Sequence, residues 1–356
     1  MIRENNMKKE LIFSSLLAVM IAVIGLTKFA FKKDIKETKG VDVVPTMEDV
    51  ITKDSSWCPT FQLIFNDLKN DIVKQDVKFD KSNTFLDNLN KEEFKESDIS
   101  SDYYYKTYGV KSIELKNKII KGIKDKFNQK SDILDKFDFT NSSPNNYFFY
   151  SMLYREFKYP KKFNKLANGK FNDKYDSIKY FGIKDKDEEL AKQIKVLYYN
   201  NEVDFAIKLL TTSNDEVIIN KNPKGNNFRE IYNNITSKSK EYKDNEFTID
   251  SDYFKMPYLS LNVMKEYKEL EGQPIKDSEG NLIEIGTALQ TIKFTLDDVG
   301  GKIKSEAGMN VMKSSIEDNK SKRYFYVDKT FAIFLKETSK DKPYFAARVN
   351  DIRKFQ

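Results

Sequence analysis

Residues 289–301 read LQTIKFTLDDVGG, residues 302–323 read KIKSEAGMNVMKSSIEDNKSKR, and two apolar runs follow at 324–335 and 344–349. The first stretch predicts a strand over Leu289–Leu296 and a turn over 297–301. The polar stretch 302–323 then separates this strand from the next one. Hairpin connections usually take about two to five residues, so a connection of this length is either a functional loop or a disordered one.

The composition predicts a folded body. The chain has 356 residues, enough to bury a large core in one or two domains, and 13% of them are aromatic. Lys+Arg 61 against Asp+Glu 55 gives a net charge of +6. The signs alternate along the chain, so no basic stripe of the kind that binds phosphates is predicted, and we expect no nucleic-acid partner.

The first thirty residues have the pattern of an export signal. Arg3, Lys8 and Lys9 precede the run 11–26, which is apolar apart from two serines. This pattern predicts a signal peptide or transmembrane anchor over 1–31, a linker over 32–55 and a single folded domain over 56–356. A lysine and a phenylalanine at the end of the run suit signal-peptidase cleavage poorly, which favours an uncleaved anchor. The expected location is therefore exported, either membrane-anchored at the outer face or secreted.

The chain has no histidine and one cysteine, Cys58. These counts exclude the usual zinc sites and the Ser–His and Cys–His nucleophile pairs. Asp297 and Asp298 are adjacent at a strand end and point to opposite faces, so they are not predicted to converge on a metal or a substrate. We expect no cofactor, no metal site and no catalytic residue, and hence no enzyme.

Hydrophobic periodicity predicts helices first and strands later. Helices are predicted at 61–72 and over most of 84–139. The predicted strands are 147–154, buried on both faces, the hairpin 194–199 with 203–210 about Asn200 and Asn201, and 247–256, followed by a helix to 267. Helices followed by strands, without alternation of the two, predict an α+β fold with large mixed or antiparallel sheets.

Four stretches between residues 147 and 349 resemble the motifs of one protein family, in the same order. YFFYSMLY (147–154), with Tyr159 and Phe163 after it, is similar to the motif NAIYFKGxWxxxF, with Tyr159 at the usual tryptophan. QIKVLYY (193–199) with 203–210 is similar to a hairpin of the family, and Phe254-Lys255-Met256 is similar to a strand. DKTFAIFL (328–335) and YFAARV (344–349) resemble its closing strand pair. The family is the serpins, and the chain resembles a divergent, bacterial-type member.

This resemblance implies a serpin-like α+β fold with a helical N-terminal third and an exposed reactive-loop-like segment. The N-terminal third has no counterpart of the family's NvlfSPlSi element. In the family, the loop is a bait that a protease cleaves, and in inhibitory members the cleaved loop inserts as a strand into the central sheet. The implied activity is that of a serine-type endopeptidase inhibitor.

The segment that corresponds to the reactive-centre loop is 302–324. Its Ser305, Glu306, Ala307 and Gly308 resemble the family's hinge. On the strand parity that starts at Ser305, the buried set is at first small and apolar but continues to Lys313 and Glu317. An unpaired buried charge is costly, which disfavours full insertion. The candidate bait positions are Ser314, Ser315, Asp318, Lys320, Lys322 and Arg323.

Two functions are consistent with these residues. The first is a serpin-like protease inhibitor or pseudo-substrate exposed at the cell surface, a monomer whose partners are a trypsin-like or subtilisin-like protease and, through the N-terminal segment, the membrane. The basic residues near 320–323 suit the carboxylate in a trypsin-like specificity pocket, although a solvated turn has the same composition. The second is a non-inhibitory serpin-fold surface binding or structural protein with no loop insertion.

Overall fold

The computed structural model describes residues 36–140, 146–301 and 321–356. Its α-helices are α1 (Thr60–Asp67), α2 (Thr84–Asn90), α3 (Ile113–Phe127), α4 (Glu188–Lys192) and α5 (Phe228–Glu241). Its strands are β1 (Asp42–Val43), β2 (Ser55–Trp57), β3 (Tyr104–Val110), β4 (Tyr147–Leu153), β5 (Phe157–Lys158), β6 (Asn164–Lys165), β7 (Gly169–Phe171), β8 (Tyr175–Ile178), β9 (Tyr180–Gly182), β10 (Ile194–Asn201), β11 (Asp204–Leu210), β12 (Asp215–Lys221), β13 (Asp252–Pro257), β14 (Leu259–Glu266), β15 (Pro274–Lys276), β16 (Leu282–Glu284), β17 (Leu289–Leu296), β18 (Gly300–Gly301), β19 (Arg323–Tyr326), β20 (Phe331–Glu337) and β21 (Pro343–Val349).

The predicted helices form where one apolar face and a capping residue coincide. Helix α1 continues into a π-helical turn, Leu68–Val73, so the predicted helix over 61–72 is confirmed. Helix α3 starts at Ser112, whose side chain accepts a hydrogen bond from the Leu115 amide, and ends at Asn128 in the left-handed conformation with φ 52. Its Leu115, Ile119 and Ile123 are buried.

A seven-stranded sheet with the order β1-β2-β21-β20-β12-β11-β10 holds most of the core. All its neighbours are antiparallel except β1 and β2, which are parallel. Strands β12, β20 and β21 are buried along almost their whole length. This explains the long apolar runs of β20 and β21, whereas β12 also buries polar residues at both of its ends. The predicted hairpin is confirmed as β10 and β11, but its turn is at Glu202 and Val203, not at Asn200 and Asn201 as predicted, since Asn201 pairs with Asp204.

Two four-stranded sheets and three two-stranded ones, β3-β4, β7-β8 and β15-β16, make up the other sheets of the described residues. One four-stranded sheet has the order β19-β13-β9-β6, in which β19 and β13 are parallel, and the other has the order β14-β17-β18-β5. Strands β3 and β4 form a separate antiparallel pair, with helix α3 packed on one face through its buried residues and those of β4. This combination of few helices and several sheets confirms the predicted α+β class.

Three predictions differ from the structure. The stretch 84–139 contains helices α2 and α3 but also strand β3, whose Tyr, Lys and Thr residues carry no strong period. The helix predicted before residue 267 is strand β14, because Leu259, Leu261 and Val263 are buried at a spacing of two while Met264 is 48% exposed. Strand β4 is not buried on both faces, since its burial alternates from Tyr147 onward.

The predicted linker over 32–55 is shorter than expected. Thr38 exchanges hydrogen bonds with Asn262 on the edge of β14, at 2.8 and 3.0 Å. Val43, Val44 and Met47 are buried in the main core. The chain is therefore part of the folded body from Thr38 on, and residues Glu37–Gln356 form one compact unit. No helix in the three described ranges is long and apolar enough to cross a membrane, and the predicted anchor over 1–31 lies outside them.

Candidate functional site

The structure describes both flanks of the predicted reactive loop. Residues 302–320, which include the hinge candidates Ser305, Glu306, Ala307 and Gly308 and the bait candidates Ser314, Ser315, Asp318 and Lys320, lie outside the described residues. Strand β17 leads into the loop through β18, and Arg323 begins the strand that follows it, β19.

The flank before the loop is a tight turn that reverses the chain. The Asp297 carboxylate accepts hydrogen bonds from the amides of Val299 (2.8 Å) and Gly300 (3.1 Å), while the Asp297 amide donates to the Gly300 carbonyl at 2.8 Å. The side chain therefore closes the turn, as aspartates commonly do. After it, Gly301 lies opposite Leu296, so the chain has started back along β17.

Strand β18 lies between β17 and β5. Gly300 pairs with Lys158 and Gly301 with Phe157, both antiparallel. A Cβ atom on Gly300 would lie 2.2 Å from the Phe157 carbonyl oxygen, and one on Gly301 would lie 2.3 Å from the Phe157 ring. Gly300 is therefore required by the close approach of the two backbones, and Gly301 by the Phe157 ring packed over it. We call these four residues the strand joint.

Beyond the strand joint, β4 and β17 belong to different sheets. Strand β4 pairs only with β3, and β17 pairs with β14 along its full length. Among the described residues no ladder joins the second edge of β4 to the second edge of β17. At the surface, Lys293 Nζ of β17 lies 2.8 Å from a carboxylate oxygen of Asp132, in the segment after α3. Strands β4 and β17 therefore each have, beyond the strand joint, one edge without a ladder among the described residues, and we call these the two open edges.

A second acid of the turn is held in the body. Asp298 is 4% exposed, accepts a hydrogen bond from the Tyr258 hydroxyl at 2.8 Å and lies 3.1 Å from Lys162 Nζ. Burial acts to raise the pKa of Asp298, but the Tyr258 hydrogen bond and the Lys162 ion pair outweigh it and lower that pKa. Asp298 is therefore a structural anion. The described residues contain no group of three or more Cys, Asp or Glu side chains that could hold a metal ion.

Tyr159, at the position of the family's tryptophan, packs beneath the strand joint. Its amide donates to the Val299 carbonyl at 2.9 Å, and its ring lies 4.9 Å from that of Phe163, edge to face. Burial raises the pKa of the Tyr159 hydroxyl well above its usual value. The aromatic cluster therefore packs against the strand joint, where the chain enters the predicted loop.

Arg323 fixes the flank after the loop. Its guanidinium donates to both carboxylate oxygens of Asp252, at 2.9 and 2.6 Å, to the Asp244 carboxylate at 2.9 Å and to the Tyr242 hydroxyl at 3.1 Å. It also donates to the Glu246 carbonyl at 2.6 Å. Burial acts to lower the pKa of Arg323, but the hydrogen bonds and charge of Asp252 raise it overall.

Arg323 is therefore not available as a bait side chain. Its side chain is 6% exposed and that of Asp252 is 0% exposed, whereas Lys322 is exposed. A protease must take the residue it recognises into its own specificity pocket, and a side chain held by this many partners cannot enter one. The prediction of Arg323 as a bait position is thus corrected to an anchor, and only Lys322 of the predicted positions is described and exposed.

A buried cluster around Arg155 was not predicted from the sequence. Arg155 connects β4 to β5 and lies 2.7 Å from an Asp215 carboxylate oxygen and 3.0 Å from one of Glu337. The guanidinium stacks on the Tyr103 ring, 3.6 Å from its centroid. Burial raises the pKa of Asp215, and Arg155 offsets this only in part. No local pattern marks these residues, because their partners come from strands far apart in the chain.

Proteins similar to this chain are found among solved structures and not by sequence. No protein-family model matches the chain, and no curated protein matches it in sequence. Among solved structures, maspin has a TM-score of 0.53 at 12% identity, over 83% of this chain and 91% of its own. Serpin48 of the insect Tenebrio molitor has a TM-score of 0.48 at 11% identity (84% and 92%), and the serine protease inhibitor Serpin-12 of Manduca sexta has 0.48 at 12% (85% and 94%). At these identities the likeness to maspin shows the fold alone: the chain has a serpin-like α+β fold.

Proposed function

We propose that the protein is a divergent, bacterial-type serpin-like protease inhibitor or pseudo-substrate, exposed at the cell surface and acting through the loop at about 302–324. It acts as a monomer on a trypsin-like or subtilisin-like protease and performs no catalysis of its own. The segment 1–31 exports it and anchors it at the outer face of the membrane.

The position of β18 is the observation that carries this proposal. Strand β18 already forms the first two residues of a strand between β17 and β5, antiparallel to both. A strand that continued β18 in the same register would run along the open edge of β17 and toward β4, which precedes β5 in the chain. Each strand there has an edge that lacks a ladder among the described residues, and an added strand satisfies such edges.

The register of β18 identifies the side chains that insertion would bury. Leu296 lies opposite Gly301, so a continuing ladder would place Ile303, Ser305 and Ala307 opposite Phe294, Ile292 and Gln290. These three residues are on the buried face of β17, at 5%, 5% and 3% exposure. Directly opposite residues share a face, so the inward set would be uncharged.

The same register removes the charge problem predicted from the sequence. Strand β17 begins at Leu289, which lies opposite Gly308 in this register. In this register Lys313 and Glu317 would fall beyond the end of β17, so a strand that pairs with β17 alone would bury neither of them. Insertion up to Gly308 carries no unpaired buried charge.

The test is cleavage of the full chain by a panel of trypsin-like and subtilisin-like proteases. An inhibitor gives a covalent complex that survives denaturant and a nicked form with a higher melting temperature. Ala307→Arg places a charge on the inward face and is expected to abolish both signals. Glu306→Arg is the matched control, because Glu306 lies opposite Thr291 on the outward face, and it is expected to retain both.

The opposite outcome supports the second function. If the panel nicks the loop but neither a complex nor a rise in melting temperature appears, the protein is a non-inhibitory serpin-fold surface binding or structural protein. Equal behaviour of Ala307→Arg and Glu306→Arg would refute the proposed register. Protease treatment of intact cells, followed by fractionation, tests the location: an exposed anchored protein is degraded from outside and stays with the membrane fraction.

A further inference from the structure

Helix α3 and its flanks concentrate the positive charge of the chain. Residues 111–130 contain one glutamate, one aspartate and seven lysines, a net charge of +5 in a chain whose net charge is +6. The seven are Lys111, Lys116, Lys118, Lys121, Lys124, Lys126 and Lys130. The alternating signs seen in the rest of the sequence therefore do not extend to this helix.

Packing turns most of these lysines toward solvent. The buried face of α3, made of Leu115, Ile119 and Ile123, lies against β4, so the opposite face is exposed. Two of the lysines make surface ion pairs, Lys116 with Asp135 and Lys121 with Asp125. Lys111, Lys118, Lys124 and Lys130 make no ion pair with any described residue.

Apolar side chains are exposed among these lysines. Ile113 and Ile120 are 44% and 43% exposed and lie two turns apart on one side of the helix. Val110 and Tyr147, each 40% exposed, are cross-strand partners immediately before the helix. We call Ile113, Ile120, Lys118, Lys121 and Lys124 the lysine face.

We propose that the lysine face docks on an anionic phospholipid bilayer. Lys118 and Lys124, which make no ion pair with a described residue, give it a positive charge complementary to the lipid headgroups, while Lys121 is paired with Asp125. Each lysine near such a surface adds about a fivefold attraction. The exposed isoleucines have no role in binding a soluble polyanion, but on a bilayer they enter the boundary between headgroups and acyl chains.

The lysine face runs along the length of β4: Gly122 of α3 lies against the ring of Tyr105, the partner of Met152, and the Phe127 ring lies 5.9 Å from that of Tyr154. The inference does not depend on protease inhibition, since the lysine face shares no residue with the loop.

The experiment measures lysine accessibility on the full chain in vesicles. The protein is reconstituted in phosphatidylcholine alone or in phosphatidylcholine with phosphatidylserine, acetylated briefly and analysed by mass spectrometry. Labelling of Lys118, Lys121 and Lys124 is expected to fall at least about fivefold in the anionic vesicles and to recover in high salt. The exposed Lys240 and Lys243, next to the Arg323 anchor, serve as controls and are expected not to change.

Two results would overturn the proposal. The first is equal labelling of the three lysines in both kinds of vesicle. The second is protection by soluble polyglutamate as strong as that by vesicles, together with no effect of Ile113→Ser and Ile120→Ser on vesicle protection. The isoleucine variants remove exposed side chains and are expected to keep the melting temperature, while reducing protection in anionic vesicles severalfold.

Discussion

Replacing Arg323 by methionine tests its role as the anchor of the loop's C-terminal flank. Methionine replaces the aliphatic stem of the side chain but removes the charge and all the hydrogen bonds of the guanidinium. The Asp252 carboxylate, with its side chain 0% exposed, would then be buried without a cation. Removing one partner of a buried ion pair costs about 3–5 kcal/mol, because the other charge remains desolvated.

This cost is large compared with the net stability of a domain. It lowers the ratio of folded to unfolded protein by about 100-fold to several thousand-fold. Lys322→Met is the matched control, since the exposed Lys322 lies one residue away, and its change is expected to stay within about 0.5 kcal/mol. Adding Asp252→Asn to Arg323→Met removes the unpaired charge, so the double variant is expected to be more stable than Arg323→Met alone.

Urea unfolding gives the free energies directly. The chain has one tryptophan, and Trp57 is 1% exposed in β2, so its fluorescence reports exposure of the core on unfolding. Equal unfolding free energies for Arg323→Met and Lys322→Met would refute the anchor. A double variant less stable than Arg323→Met would show that the loss does not come from the unpaired Asp252 carboxylate.

Three further outcomes are expected. Trypsin acting on the native protein is expected to leave the bond after Arg323 intact, and N-terminal sequencing that finds a fragment starting at Tyr324 would contradict this. Gly300→Ala is expected to lower stability by about 1–3 kcal/mol through the clash at the strand joint, whereas Gly286→Ala, where a Cβ meets nothing within 4 Å, is expected to be neutral in a thermal melt. Burial raises the pKa of Asp49 above the unfolded value of 3.8, so ionising this carboxyl costs more free energy in the folded state than in the unfolded state. As pH rises from about 3.8 through the raised pKa, the protein is therefore expected to lose stability relative to Asp49→Asn. A stability difference between the two proteins that does not change with pH, measured by urea titration, would argue against this.

Elements with a complete local period could be predicted from the sequence. Helix α3 and strand β17 each repeat buried residues at the spacing of their own geometry, 3.6 and 2 residues. Strand β14 was predicted as a helix because Val263, Met264 and Tyr267 mimic a helical spacing, although Met264 is exposed. Residues 38–55 were predicted as a linker because their burial comes from distant partners and leaves no period.

The candidate site was predicted only in outline. The length and polarity of 302–323 between two apolar strands indicated a loop, and its flanks are where the sequence placed them. The role of Arg323 could not be predicted, because a basic residue at the end of a polar run has the same local appearance whether it is solvated or buried. Its acceptors Asp252 and Asp244 lie about seventy to eighty residues earlier in the chain.

The sequence by itself determined the α+β class, the hairpin of β10 with β11, and the long polar connection after β17. Each of these depends on the order and spacing of neighbouring residues. The tertiary structure alone decided which strands pair and that β18 enters between β17 and β5. It also decided that β4 and β17 belong to different sheets beyond the strand joint. The physical reason is that a strand's period shows which face is buried, whereas its edges carry the same amide and carbonyl groups whatever the sequence, so the partner is set by packing of the whole body.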